Sequence, residues 1–419
     1  METGNFYILL IAILTIAGII IRPFKIPEMV WAVAGAALLL IFKLISFADA
    51  TSGILKGLDV YLFLLGMMML AETARNEGVF EWLADIATRK ANGSASALFL
   101  MIYLVGIVVT ALMSNDATAV VLTPAVAVGV RAAGIKNPLP YLLICAFISN
   151  AASFLLPISN PANLVIYGND LPTLTQWIPM FLIPSITSIT ITFLILRFSQ
   201  RKELKVSIRK DILGVNLSKA GKVAAYGILI TSIVLMIASM NGISLGMMTA
   251  IMGLTTSLIV LIVAKKKPNA ILKGISWSVI PLVAGLFILV VGIGKTGILD
   301  HLSDLLSLET QKSESITALF GGIIAAFASN LFNNLPAGLI AAHAIQSAHV
   351  SGLVRASVVI GIDLGPNLSL TGSLSTILWL VAIRREGLSV SGWTFLKTGA
   401  LVMIPALFAT LLALYIMMG

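Results

Sequence analysis

Residues 114–124 read "SNDATAVVLTP", and the run before them, "ALFLMIYLVGIVVTALM" at 97–113, carries no charge. After them the chain stays almost wholly apolar up to Arg131. The segment 94–130 is long enough for two short legs, and its polar residues sit at the centre. That pattern describes a hairpin that enters a bilayer and leaves on the same side, with Ser114, Asn115 and Asp116 at its tip.

The setting is a membrane. Of 419 residues, 58% are hydrophobic and 11% charged, and the mean hydropathy is +1.03. A soluble domain carries roughly 25% charged residues. The stretches 5–21, 29–47, 223–240, 243–264 and 398–418 are each apolar enough to cross as a helix, which takes about 20 residues. The first has no basic flank and no small-residue cleavage site, so it reads as a retained span rather than a signal peptide. Cys145 is the lone cysteine, which excludes an intrachain disulfide and a cysteine-cluster metal site.

The net charge of +9 is topological and points to no nucleic acid. Arg197–Lys222 holds eight basic residues, Lys210 among them, against Glu203 and Asp211. Lys265, Lys266, Lys267 and Lys273 form a second cluster, and Arg384, Arg385 and Lys397 a third. Basic loops stay in the cytoplasm. With these three inside, Arg22 and Lys25 also fall inside, while "MNGIS" (240–244) and "YGNDLPTLTQ" (167–176) fall outside. Both termini are then expected outside, provided that 94–130 and 314–350 are re-entrant, the first from the cytoplasm and the second from outside.

A repeat supports the count. Residues 57–78 lie over 276–297 at an offset of 219, which also places "ALMSNDATAVVLTP" (111–124) on "NLFNNLPAGLIAAH" (330–343). Spans broken by Pro, Gly and polar residues follow, "ISNAASFLLPISNPANLVIYG" (148–168) and "IGIDLGPNLSLTGSLSTILWL" (360–380), at an offset of about 213. Amphipathic pieces at 79–90 and 298–308 have the pattern of helices lying along the interface. The expected fold is all-α and polytopic, with about ten transmembrane helices, two re-entrant hairpins and two broken helices. Its organisation is a first repeat at 1–200, a basic cytoplasmic linker at 201–222, and a second repeat of opposite topology at 223–419. Inverted repeats with paired discontinuous helices mark secondary transporters, whose site lies near the midplane.

Backbone freed by such breaks is tolerated only where protein buries it or a wet cavity lines it. The candidate substrate-binding groups are Ser114, Asn115, Thr118, Asn150, Ser153, Asn160, Asn333, Asn334, Asn367, Thr371 and Ser373. Any single one of them can equally cap an interrupted helix. Asp116 and Asp363 are the candidate proton carriers, because a carboxylate at membrane depth costs about 2.5–3.5 kcal/mol on insertion scales and its retention suggests a job. The alternative for each is a carboxyl that locks the fold, with Arg355 as a possible partner of Asp363. Glu72 with Arg75 reads as an interfacial pair, Met67–Met69 as packing, and His343 and His349 as packing residues. No phosphate loop or hydrolase motif is present, and no cofactor is implied.

The strings "SNDATAVVLTPAV", "SNLFNNLPAGLIAAH" and "GIDLGPNLSLTGSLSTILW" together resemble the ArsB arsenite efflux family of the ion transporter superfamily, over the whole chain. The resemblance implies export of arsenite and antimonite against protons. It also implies two inverted repeats whose hairpins and broken helices slide as an elevator in the cytoplasmic membrane. Some members work with an ArsA-type ATPase, and related carriers form homodimers. Sodium-coupled dicarboxylate carriers of the superfamily have Ser-Asn-Thr at both tips. Here the tips are Ser114-Asn115-Asp116, whose carboxylate suits proton coupling and can also bind Na⁺, and Asn333-Asn334-Leu335-Pro336, where Leu335 and Pro336 remove two polar sites that sodium would use. Arsenous acid, a neutral trihydroxyl solute, needs amides, hydroxyls and backbone groups rather than a cation clamp. The alternatives are a sodium/proton antiporter, an anion transporter or a passive metalloid channel.

Overall fold

A computed structural model of the protein describes residues 3–209 and 214–419. Lys210 and Asp211 of the basic linker lie outside the described residues, as do Met1 and the side chain of Lys25. The regular structure of the described residues is all helical, apart from one isolated bridge between Ser94 and Ser207. The first half contains α1 (Thr3–Ile21), α2 (Glu28–Ile41), α3 (Phe47–Lys56), α4 (Leu58–Asn76), α5 (Val79–Lys90) and α6 (Ala95–Leu112). It continues through α7 (Asn115–Ala117), a π-turn (Thr118–Leu122), α8 (Thr123–Ala132), α9 (Leu139–Ala151), α10 (Pro161–Tyr167) and α11 (Leu174–Ser199). The second half contains α12 (Lys219–Met240), α13 (Leu245–Ala264), α14 (Asn269–Gly274), α15 (Val279–Gly294) and α16 (Ile298–Lys312). Then come α17 (Glu314–Phe332), α18 (Asn334–Ala348), α19 (Gly352–Leu364), α20 (Leu374–Arg385) and α21 (Gly392–Met418).

Seven of the described helices are long and apolar enough to cross a bilayer, or nine if each of two bent pairs makes one span. Those pairs are α3 with α4, bent by 47°, and α15 with α16, bent by 77°. The chain is thus a multi-pass membrane protein. The span expected at 29–47 stops early, at Ile41. Lys43 turns left-handed (φ 54°), and Ser46 restarts the chain as α3 with a capping box to Asp49, a motif that satisfies two orphan donors at a helix start.

The helix starts recur through the two halves. Gly78 (φ 76°) turns α4 into α5, and Gly297 (φ 75°) turns α15 into α16, 219 positions later. A left-handed turn of this kind has no steric cost for glycine. Ser94 caps α6 and Ser313 caps α17, again 219 apart. Asn160 and Ser373 cap α10 and α20, 213 apart. Each half therefore runs through an apolar helix, α4 or α15, an amphipathic helix, α5 or α16, a hairpin and a broken helix, α9–α10 or α19–α20.

The packing couples the halves reciprocally. Second-half α20 lies on the second leg of the first hairpin, and first-half α10 lies on α18, the second leg of the other hairpin. Elsewhere α4 and α13 pack closely enough for backbone contact: a Cβ at Gly66 would fall 2.2 Å from Thr249 O, and one at Gly253 2.5 Å from Gly66 O. The linker is docked along the base of the first hairpin. Ile208 N donates to Gly93 O (3.1 Å), Arg209 N to Ala133 O (3.0 Å) and Val215 N to Asp85 Oδ2 (3.1 Å).

Candidate functional site

The two hairpin tips have matching backbones. Ser114 (φ 153°, ψ 166°) and Asn333 (φ 70°, ψ 152°) both occupy a region that residues other than glycine rarely enter. Such strain, of order 1–3 kcal/mol, persists where the surroundings over-determine it and clusters at functional sites. Each side chain accepts from a backbone N–H of the leg that follows, Ser114 Oγ from Ala117 and Asn333 Oδ1 from Leu335.

The tips are fastened to the break and start of the second broken helix. Ser375 Oγ donates to Asn115 O (3.0 Å), Asn334 N to Gly372 O (2.8 Å) and Asn333 Nδ2 to Thr371 O (3.1 Å). Asn330 extends this clamp, donating to Gly365 O and accepting from Ser369 Oγ.

Between the tips the broken helices cross. Asp363, fully buried at the end of α19, accepts from Asn160 Nδ2 (2.8 Å) and Ser153 Oγ (2.7 Å). Asn150, its counterpart 213 positions earlier at the end of α9, donates to Asn367 Oδ1 (3.0 Å) and accepts from Ser373 Oγ (3.3 Å). The end of each first segment is therefore bonded to the cap of the other helix's second segment. Asn367 Nδ2 in turn holds Phe147 O (3.0 Å). Freed carbonyls in the first break are met by Ser188 on Ala151, Trp177 Nε1 on Phe154 and Asn163 Nδ2 on Ser153. That is the internal satisfaction which lipid demands.

Asp116 has a different environment. It is partly exposed, and its carboxylate has no hydrogen-bond partner among the described residues. With Ser114 it lines a cleft of about 50 Å³, whose other walls are α4 (Phe63 to Glu72), the segment Gly274–Val279, Pro161 and the α20 residues Leu374 and Leu378. Met67 and Met68 face this cleft, and so does Glu72, which is paired with Arg75. On the side of the second hairpin a vestibule of about 1400 Å³ opens between α4, α13, α15 and α10, α18. His343 lines it, 3.8 Å from Asp300.

Among the sequence candidates, Ser114 and Asp116 thus reach the cleft, while the others knit the interior. Thr118 is turned onto Thr110 of the first leg (2.8 Å), and the Thr371 hydroxyl approaches Ser369. Arg355 is no partner of Asp363. It stands 3.7 Å from Asp170 and over the Tyr167 ring. Asn330 was missed as a candidate. It lies three residues before its tip, and the chain pattern gives no hint of its bond to Gly365.

The solved structures with this architecture include the YdaH transporter of Alcanivorax borkumensis, described as having an unusual topology (TM-score 0.56, 12% identity, covering 88% of this chain and 86% of that one). Another is MtrF of Neisseria gonorrhoeae, of a class of antimetabolite efflux pumps (TM-score 0.54, 13% identity, 88% and 82% covered). In sequence the chain is similar to the arsenical pump membrane protein of Yersinia enterocolitica, with 28% identity over 84% of each chain. It is equally similar, at 28% identity over 84% of each chain, to the protein of that name in Escherichia coli K12. A putative arsenical pump membrane protein of Bacillus subtilis is 25% identical over 94% of this chain and 95% of its own. The likeness to arsenical pumps read from the motifs is thereby borne out. The model of a family of transporters, CitMHS, described as citrate transporter, matches residues 9–361, and the chain belongs to that family.

Proposed function

We propose that the protein is a secondary active exporter of arsenite and antimonite, driven by exchange for protons across the cytoplasmic membrane. The observation that carries this reading is the cleft at the first tip. Its polar lining consists of Ser114, Asp116, Glu72 and Ser276, with no Lys, Arg or His among the lining residues. Such a lining suits a neutral trihydroxyl solute, whose O–H groups donate to carboxylate and hydroxyl oxygens, and it is ill suited to an anion. The names of the arsenical pump relatives favour the same substrate.

In this reading the two halves are inverted repeats, 1–200 and 223–419, joined by the linker 201–222. The reciprocal bonds Asn160–Asp363 and Ser373–Asn150 support a two-fold relation between them. Hairpins and broken helices form the moving unit, and α4 with α13 belongs to the fixed one. The turn at 240–244, assigned to the outside in this reading, borders the vestibule, which makes the vestibule the external approach. Asp116 is the proton carrier of choice, being the one of the two candidates Asp116 and Asp363 that lines a cavity. Asn115 and Asn333 shape the tips, each accepting from a backbone N–H of its own hairpin, and Asn334 is the tip amide left to meet the substrate. Asn334 Oδ1 is a buried acceptor without a partner among the described residues.

The family description favours a second reading, an anion carrier. Purified protein in proteoliposomes separates the two. Arsenite uptake should appear when a pH gradient is imposed and collapse with an uncoupler. Uptake indifferent to the uncoupler would make the protein a passive channel, and citrate uptake without arsenite uptake would make it an anion carrier.

A further inference from the structure

Glu72 reads from the sequence as one half of an interfacial ion pair, and the pair is present: Arg75 Nε and Nη2 lie 2.9 and 2.5 Å from Glu72 Oε2. The arrangement is lopsided, however. The Glu72 side chain is only 8% exposed, whereas that of Arg75 is 43% exposed. Both Arg75 bonds go to one oxygen, and Oε1 has no partner among the described residues. Glu72 lines the cleft and Arg75 does not. Room for the carboxylate comes from Gly274 on the facing segment, where a Cβ would fall 2.0 Å from Glu72 Oε2. Across the cleft stands Asp116.

From this we infer that Glu72 is a specificity-determining residue: with Asp116 it makes the cleft an entrance that excludes anions and admits uncharged polyhydroxy solutes. A charge near a poorly solvated passage acts far more strongly than it would in water. Arg75 pairs with that carboxylate through Oε2 and is not itself among the residues lining the cleft. A tricarboxylate, the cargo named in the family description, would meet the carboxylates of Asp116 and Glu72 there, with no cation among the lining residues. The solute class rests on the arsenite reading, while the charge filter can be tested without it.

Ser276 lines the cleft, and the native Cys145 is fully buried, so S276C supplies the reactive thiol. Membranes bearing S276C are treated with methanethiosulfonates carrying a sulfonate or a trimethylammonium group. Relative to the ratio with a free thiol in solution, the cationic reagent should react faster by at least about fivefold, the scale of one charge about 4 Å away in bulk water and so a floor for a less solvated passage. The preference should fall in S276C/E72Q and persist in S276C/E72D. If E72Q fails to reach the membrane, a salt titration of S276C alone tests the same charge, because screening should erode the preference. A reagent ratio in S276C no higher than with the free thiol, or a preference untouched by both E72Q and salt, would overturn the filter. In parallel, citrate should not inhibit arsenite uptake by the wild type and should do so in E72Q. Absence of arsenite uptake in the wild type would defeat the transport reading and leave the reagent ratio as the measure of the filter.

Discussion

Asp363 has both carboxylate oxygens engaged, by Ser153 and Asn160, in a fully buried setting, whereas Asp116 stands half-open on a cleft. The two should therefore fail differently. Asp116→Asn keeps size and polarity but cannot carry a proton, so pH-driven arsenite accumulation in everted vesicles should vanish while the protein remains extractable and monodisperse. Uptake at the wild-type rate would remove Asp116 from the coupling step. Asp363→Asn turns one acceptor oxygen into a donor NH2 beside donors already in place. Leaving a buried group unsatisfied costs about 1–3 kcal/mol. The variant should lose its monodisperse peak at a lower temperature in detergent, and an unchanged melting profile would refute the locking role. The sequence marks both residues but cannot rank them. Asp363's partners lie some two hundred positions away, and Arg355, eight residues back, sits about 12 Å along the helix.

The hairpins were legible as elements because charge-free legs around a polar centre leave few other folds in lipid. Their internal detail was not. Pro124 lacks an N–H, and its ring opposes the carbonyl four residues earlier, at Val120. The backbone widens into a π-turn over Thr118–Leu122 just before it, which moves Thr118 onto Thr110. Single-turn π-bulges are an established way of accommodating such a break. The α4–α13 contact was also hidden, since Gly66 and Gly253 read as ordinary residues of apolar spans. Gly66→Val would drive a methyl-bearing carbon into Thr249 O and should destabilise the fold by about 2 kcal/mol or more, within or above the usual range for overpacking. A thermal-shift comparison with Gly4→Val, where nothing lies within 4 Å of a new Cβ, isolates the packing effect. Equal melting of the two variants would mean that the contact is dispensable.

For the whole molecule, the offset shortens by six between the hairpins and the broken helices, and the shortfall falls at the foot of the second hairpin. α8 ends at Ala132 and α9 begins at Leu139, whereas α18 ends at Ala348 and α19 begins at Gly352. The repeat was therefore readable in its order of elements, while the cross-bonds that join its halves were not. Those bonds bear on how the protein moves. The first hairpin is tied to the second broken helix at both ends, by Ser375 on Asn115 at the tip and by Arg131 at the foot. Arg131 Nη1 lies 2.7 Å from Glu386 Oε2, and Nη2 lies 2.6 Å from Glu386 O. Leu62 on α4 and Leu339 on α18 instead both line the vestibule. If hairpins and broken helices travel as one body past α4 and α13, a short thiol cross-linker between R131C and E386C joins parts that never separate. Arsenite transport should then continue at the uncross-linked rate. The same reagent between L62C and L339C bridges parts that must slide, and transport should stop and return on reduction of a cleavable linker. Inhibition by the first cross-link would show that the first hairpin opens independently of α20, and the single-body account would have to give way to a gating tip.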